Sequence, residues 1–346
     1  MTKSFSDSLA SLPLAVKILI LFVLLLPLPL VFDSRYVLQL AELIMVYVVI
    51  ALGQNIVLGY SGQISIAQSA FAAIGAYGSA LLMMQADLPF PVAALAGILM
   101  AGVAGMALGL VTFRVRTHYV LLVTIGFHII VLLFIVNMGD LTGGPMGLYP
   151  IPSIAVGGWK LKSLSGYYWF YFSLTVLLLY VAERIRLSRL GLAMLAIKNN
   201  ERGARALGIN PIFYRTLAMT LAAVYAGVGG VMFAFLIQFL GPESFSLHSA
   251  LLYILIVVLG GMGNNWGLVF TTIGLTVLEE NLKVIAEAWV LIYGLLIMLV
   301  IAVAPGGLPE MFQRLLGKRS RPAQRPEPKT AAMGAAARLA DSRKPQ

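Results

Sequence analysis

Val37-Leu-Gln-Leu-Ala-Glu-Leu-Ile-Met-Val-Tyr-Val-Val-Ile-Ala-Leu-Gly-Gln-Asn-Ile-Val-Leu58 carries a single charged side chain, Glu42. A helix rises 1.5 Å per residue, so about 20 mostly apolar residues cross a hydrocarbon core of about 30 Å. In such a core each backbone N–H and C=O must find its partner inside the segment, which makes a run of this kind a helix. Comparable runs lie on both sides of it. Spans are predicted at 14–32, 37–58, 64–84, 91–113, 119–138, 167–182, 214–239, 248–260, 268–281 and 289–304, about ten in all. The predicted class is an all-α polytopic membrane protein.

Composition points the same way. Of 346 residues, 60% are hydrophobic and 11% charged, against about 25% charged in ordinary soluble domains. A soluble fold of this size would lack the polar surface to cover itself. The net charge of +10 suggests nucleic acid at first sight. But the basic residues gather between apolar runs, at Arg114 and Arg116, then Arg184, Arg186, Arg189, Lys198, Arg202 and Arg205, then Arg314, Lys318 and Arg319. That is the pattern of cytoplasmic loops, and no nucleic-acid partner is expected. An even number of spans with both termini inside puts these segments on one face; one span more or fewer would split them.

The run 14–32 follows Lys3 and continues through Asp33-Ser34-Arg35-Tyr36 without a small-x-small cleavage site, so it reads as a retained span. The chain then divides into a cytoplasmic N-terminus (1–13), a transmembrane domain (14–304) and a basic tail (305–346). From Ser320 that tail is rich in Pro, Ala and Arg without apolar periodicity, the composition of a disordered segment. Two connections are long. The external one, 139–166, is rich in Gly, Pro, Trp and Tyr and suits an interfacial cap. The cytoplasmic one, 185–215, is basic and patterned as helix. The absence of cysteine excludes disulfides and thiolate chemistry.

Within 185–215, residues 191–198 have helical composition. Asn200 is placed to cap a second short helix, with Glu201 in its first turn facing the positive end of the dipole. Ala204 and Leu207 are spaced to share a face. Gly208 sits where a helix C-terminus takes a left-handed residue, and Asn210-Pro211 reads as the cap and first residue of the next helix. A helix this short is marginal by itself. It gains stability by docking into the groove of a soluble partner or by lying on lipid headgroups through Arg202 and Arg205, and the pattern leaves both uses open.

Here a resemblance becomes specific. Leu195-Ala-Ile-Lys-Asn-Asn-Glu-Arg-Gly-Ala-Arg-Ala-Leu-Gly-Ile-Asn-Pro211 resembles the coupling loop of the branched-chain amino-acid ABC transporter permeases, in particular the second permease type of the high-affinity leucine/isoleucine/valine system. Further blocks agree in order: Gly59-Tyr-Ser-Gly-Gln-Ile-Ser-Ile-Ala-Gln-Ser-Ala-Phe-Ala-Ala-Ile-Gly-Ala-Tyr77, Leu141-Thr-Gly-Gly-Pro-Met-Gly-Leu148, Val258-Leu-Gly-Gly-Met-Gly-Asn264 with Trp266-Gly267, and Pro305-Gly-Gly-Leu308. The resemblance covers residues 37–308. It implies an ABC importer permease fold in the bacterial inner membrane, a second homologous permease subunit, two cytoplasmic ABC ATPase subunits and a periplasmic substrate-binding protein. It implies that Glu201, Ala204, Arg205, Leu207 and Gly208 belong to the ATPase-coupling loop. The spacing from glutamate to glycine is one residue longer than in importers generally and fits the branched-chain subgroup. The implied substrates are branched-chain amino acids; urea, short amides and aromatic acids are served by similar permeases.

Polar residues at membrane depth are the candidates for a translocation pathway. Gly62, Gln63, Ser65, Gln68 and Ser69 interrupt an apolar region. They read either as a broken, re-entrant segment lining the path or as the polar start of the third span at the interface. Gln54 and Asn55 line the same path or bond neighbouring helices. His128 lies mid-span; without an Asp or Glu near it in that span, a structural or cavity-facing role outweighs a proton relay. Small residues at Gly105 and Gly109, and at Ala222, Ala226 and Gly230, suit close helix packing, expected within the chain. Glu279, Lys283 and Glu287 share i, i+4 spacing and read as a charge ladder at the outer interface.

The sequence has no GxxxxGK[ST] phosphate loop and no GxSxG or HExxH, so no catalytic residue, cofactor or metal is expected and ATP would be hydrolysed by another chain. The alternative is a self-sufficient secondary transporter. It needs intramembrane acids for ion coupling, and Glu42, toward the outer end of its span, is the one acid placed well inside a predicted span.

Overall fold

The computed structural model describes residues 34–112, 119–156, 159–160, 163–282 and residue 294. The expected spans at 14–32 and, apart from residue 294, at 289–304 lie outside these, as do the N-terminus, the tail, Lys283 and Glu287. Helix α1 (Arg35–Gln54) runs on as a π-helical segment over Asn55–Tyr60. Its end is closed by wide turns: the Ser61 amide donates to the Ile56 carbonyl (3.2 Å) and the Gln63 amide to the Val57 carbonyl (3.0 Å). Gly62, at φ +71°, then reverses the chain, a conformation open to residues without a Cβ. The next residues run back without helical structure, and α2 (Gln68–Gln85) begins later than residue 64, where the span was expected. The delay has a physical cause. The amides of Ile66 and Ala67 are taken by the hydroxyls of Thr124 (3.2 Å) and Ser65 (3.3 Å) rather than by a preceding turn of helix.

The remaining elements are α3 (Phe90–Thr112), α4 (Val120–Asn137), the short α5 (Gly139–Thr142), α6 (Leu164–Leu187), α7 (Arg189–Asn199), α8 (Glu201–Ala206), α9 (Pro211–Ile237), α10 (Leu247–Gly260) and α11 (Asn265–Leu282). Between α5 and α6, β1 (Ala155–Val156) pairs antiparallel with β2 (Trp159–Lys160). Among the described residues five helices, Arg35–Tyr60, Phe90–Thr112, Val120–Asn137, Pro211–Ile237 and Pro242–Gly260, are long and apolar enough to cross a membrane. The chain is a polytopic, all-α membrane protein.

Helix α9 is the axis of the bundle and packs against α1, α2 and α3. Its small residues allow close approach, which is what holds helices together where lipid is as apolar as leucine. A Cβ on Gly230 would land on the Ala72 backbone, one on Gly75 on the Gly227 backbone, and one on Gly105 on Ala223. The small-residue patterns at 105–109 and 222–230 therefore pack within the chain. The outward faces of α3 and α4 are apolar, through Val92, Leu95, Leu99 and Val103 and through Leu122, Ile130 and Leu133, a surface suited to hydrocarbon.

The two ends of the bundle differ in character. At the basic end, the last residues of α1, α6 and α10 meet the first residues of α9 and α11 around the segment α7–α8. At the opposite end, Leu148 and Leu240 form an antiparallel bridge (2.9 and 3.2 Å), and the Tyr77 hydroxyl donates to the Leu240 carbonyl at 2.9 Å. The external loop is thereby tied to the tip of α9. The Ser163 hydroxyl accepts from the Gly166 amide and starts α6, which runs to Leu187 rather than ending at 182.

Candidate functional site

Gln54, Asn55, Gln63, Ser65, Gln68 and Ser69 converge at the broken segment, and all are buried. The Gln54 amide donates to the Ser65 carbonyl (2.9 Å). Gln63 donates to the Ser61 hydroxyl (2.9 Å) and to the Arg215 carbonyl (3.3 Å) on α9. Gln68 bridges α1 and α9, donating to the carbonyls of Ile50 (2.9 Å) and Ala222 (3.1 Å). Protein groups thus stand in for water along a non-helical stretch, the condition under which such backbone persists at membrane depth. His128 flanks the same place: it lies one turn beyond Thr124, whose hydroxyl accepts from Ile66, and it too is buried.

Not every polar atom here is satisfied. Gln54 Oε1, Ser69 Oγ and both ring nitrogens of His128 are buried without a partner. Elsewhere Glu42 Oε1 and the hydroxyls of Thr175, Thr216 and Thr276 are in the same condition. Buried polar atoms are as a rule hydrogen-bonded, and orphans call for water or a ligand. The cluster around the broken segment offers both donors and acceptors to a polar solute.

The basic segment is built from local signals. The Asn200 side chain accepts from the Gly203 amide (3.0 Å) and caps α8. Gly208, at φ +80°, closes it: the Ile209 amide donates to the Ala204 carbonyl and the Gly208 amide to that of Arg205, both at 3.0 Å, the paired bonds of a Schellman motif. Asn210 then caps α9, accepting from the Ile212 amide at 3.0 Å, with Pro211 as first residue. Glu201 pairs with Arg205 at 2.5 Å and with Arg215 at 2.8 Å, clamping α8 to α9. Ala204 and Leu207 do not share a face. Ala204 is buried at 3% exposure, whereas Leu207 is 82% exposed. Leu207 is the cap residue beyond the last helical turn, so the helical spacing that would align the two no longer applies.

Lys198, at the end of α7, donates its ammonium to the Gly59 carbonyl at 2.7 Å. Its partial burial lowers its pKa from the ordinary lysine value by penalising the charged form. The basic segment is thus bonded to the π-helical segment of α1. Sequence reasoning missed this contact, and it missed Glu183 and Asn265. With α6 extended to Leu187, Glu183 is buried, paired with Arg186, and accepts from Asn265 Nδ2 at 2.8 Å. The i, i+3 spacing of Glu183 and Arg186 is a signal that the helix continues past 182. Among the described residues no cluster of His, Asp and Glu could hold a metal ion.

Residues 36–301 match the family described as branched-chain amino acid transport system / permease component. The high-affinity branched-chain amino acid transport system permease protein LivM of Escherichia coli K12 is 34% identical over 301 residues, 80% of this chain and 71% of that protein. LivM of Salmonella typhimurium is 33% identical over 311 residues, 83% and 73% of the two chains. The permease protein LivH of Salmonella typhimurium is 27% identical over 236 residues, 63% of this chain and 75% of its own. No solved structure matches. Because the match runs from the start of α1 past the end of α11, across the broken segment and the basic segment alike, the chain belongs to the family of branched-chain amino acid transport permeases.

Proposed function

We infer that this chain is the membrane-spanning permease subunit of a bacterial ABC importer, set in the inner membrane, and that it passes branched-chain amino acids inward. Its partners are a second homologous permease subunit, two cytoplasmic ATPase subunits and a periplasmic binding protein. Similarity to both LivM and LivH, two permease proteins of high-affinity branched-chain systems, supports a core of two related subunits. The segment of Glu201, Ala204, Arg205, Leu207 and Gly208 is the ATPase contact, with exposed Leu207 as the side chain that enters a groove. Gln54, Asn55, Gln63, Ser65, Gln68, Ser69 and His128 line the pathway.

The observation that carries this reading is the polar break inside an apolar bundle, with buried donors and acceptors left open beside it. An amino acid bears charges at both termini and needs such groups when it leaves water. The test is uptake of leucine, isoleucine and valine by liposomes holding the full complex. Uptake should require ATP and stop when Glu201→Lys is combined with Gly208→Val.

A secondary transporter is the competing reading, and buried Glu42, with Oε1 unpartnered on α1, is the observation in its favour. Accumulation by this chain alone under an ion gradient, without ATP, would establish it instead.

A further inference from the structure

At the basic end of the bundle a buried hydrogen-bond chain runs in one direction. The Gly263 amide donates to Asn55 Oδ1 (2.8 Å), Asn55 Nδ2 donates to Asn265 Oδ1 (2.9 Å), and Asn265 Nδ2 donates to the Glu183 carboxylate (2.8 Å). The Tyr60 hydroxyl joins at Asn265 Oδ1, at 2.7 Å. Glu183 is 3% exposed, and Arg186, the cation paired with it, reaches the surface with a side chain 41% exposed. An ionised carboxylate only accepts, so it dictates which way each amide in the chain points. In a low-dielectric interior such a chain is cooperative, and each bond strengthens the next.

Asn55 and Tyr60 are the two ends of the π-helical segment. Gly59, between them, is held from the other side by Lys198 of α7. A methyl group on Gly59 would overlap the Asn55 side chain and crowd the Gly263 backbone, so the segment is seated tightly against the turn before α11. One residue before it, Gln54 grips the Ser65 carbonyl of the broken segment. A π-helical turn holds one more residue than the α-helical turn that could replace it. A change between the two would therefore shift Gln54, and with it the broken segment.

We propose that Asn55–Tyr60 is a two-state element coupling the basic segment to the translocation pathway, with Lys198 as its handle and Glu183, acting through Asn265, as its latch. Lys198, Asn265 and Glu183 are positioning residues in this scheme. It rests on the permease reading above and adds the route by which force arriving at α7–α8 reaches the polar break.

The full complex in liposomes tests it, with ATP hydrolysis and leucine uptake measured on the same preparation. Lys198→Met, Asn265→Ala and Glu183→Ala should lower leucine moved per ATP about tenfold or more while hydrolysis stays within about twofold. Glu183→Gln, which keeps an acceptor for Asn265 but loses the charge, should fall between these and the parent. A ratio unchanged in all four overturns the proposal. A second arm covers variants that fail to assemble. A Cβ on Gly62 would lie 3.4 Å from Lys198 Cβ, close to the separation of a disulfide, and the chain has no native cysteine. With the Lys198 ammonium gone, the reduced pair Gly62→Cys and Lys198→Cys should be as uncoupled as Lys198→Met, and oxidation should stop the remaining uptake without stopping hydrolysis; uptake per ATP at the parent's level, with the crosslink formed or reduced, overturns the proposal. Failure of the permease reading looks different, since the parent complex would then show no ATP-dependent uptake at all.

Discussion

The side chain of Gln54 donates to the backbone carbonyl of Ser65 at 2.9 Å, folding a non-helical segment back against the helix that precedes it. Removing that donor leaves a buried carbonyl without its partner, which costs about 1–3 kcal/mol. Gln54→Leu should therefore lower the thermal midpoint of the detergent-solubilised protein and slow leucine uptake. Equal midpoints for parent and variant would mean that the break is held by its other contacts.

His128 makes a contrasting case. Both its ring nitrogens are buried without partners, so an apolar replacement of similar volume breaks no hydrogen bond. His128→Leu should leave thermal stability unchanged or raise it by up to about 1 kcal/mol. Uptake should fall about tenfold, measured as initial rates in liposomes. A variant that is both less stable and fully active would place His128 in a structural role.

Glu201 bridges Arg205 and Arg215 at the rim of the protein, where it is 30% exposed. Pairs this accessible contribute about 0–1 kcal/mol. Glu201→Gln should accordingly leave the midpoint nearly unmoved while lowering ATP-driven uptake several-fold. A large loss of stability together with intact transport would reverse the assignment of this residue from coupling to folding.

Gly208 sits at φ +80° in open space, so Gly208→Ala adds no clash and its cost is backbone strain alone, about 1–2 kcal/mol. That strain falls on the Schellman turn that closes α8. Limited trypsin digestion should cut faster at Arg202 and Arg205 in the variant, with the spans protected to the same degree as in the parent.

Two glycines separate packing from conformation. A side chain on Gly230 meets the Ala72 backbone, whereas one on Gly126 meets nothing within 4 Å. Gly230→Leu should abolish stable insertion, because overpacking against backbone cannot be relieved by a rotamer. Gly126→Ala should be tolerated within about 1 kcal/mol, through helix propensity alone. Yield and monodispersity after solubilisation distinguish the two.

What the sequence by itself determined was set by short-range chemistry. The apolar runs established the polytopic class, and the described helices fall close to the spans expected for 37–58, 91–113 and 119–138. Asn200, Gly208 and Asn210-Pro211 announced the caps of the basic segment, because these caps are bonds between residues two to five apart. The polar stretch at 61–69 was legible as a break because its side chains conflict with hydrocarbon.

Tertiary structure decided the rest. Asn55 bonds Asn265 across 210 residues of chain, and neither side chain carries a local mark of the other. Glu183 reads as a loop residue until α6 continues past 182 and buries it. Ala204 and Leu207, three apart, diverge because the helix ends between them. Caps and spans follow from what neighbours along the chain can satisfy; the burial of Glu183, the seating of the π-helical segment and the unpartnered atoms beside the break follow from which helices pack together.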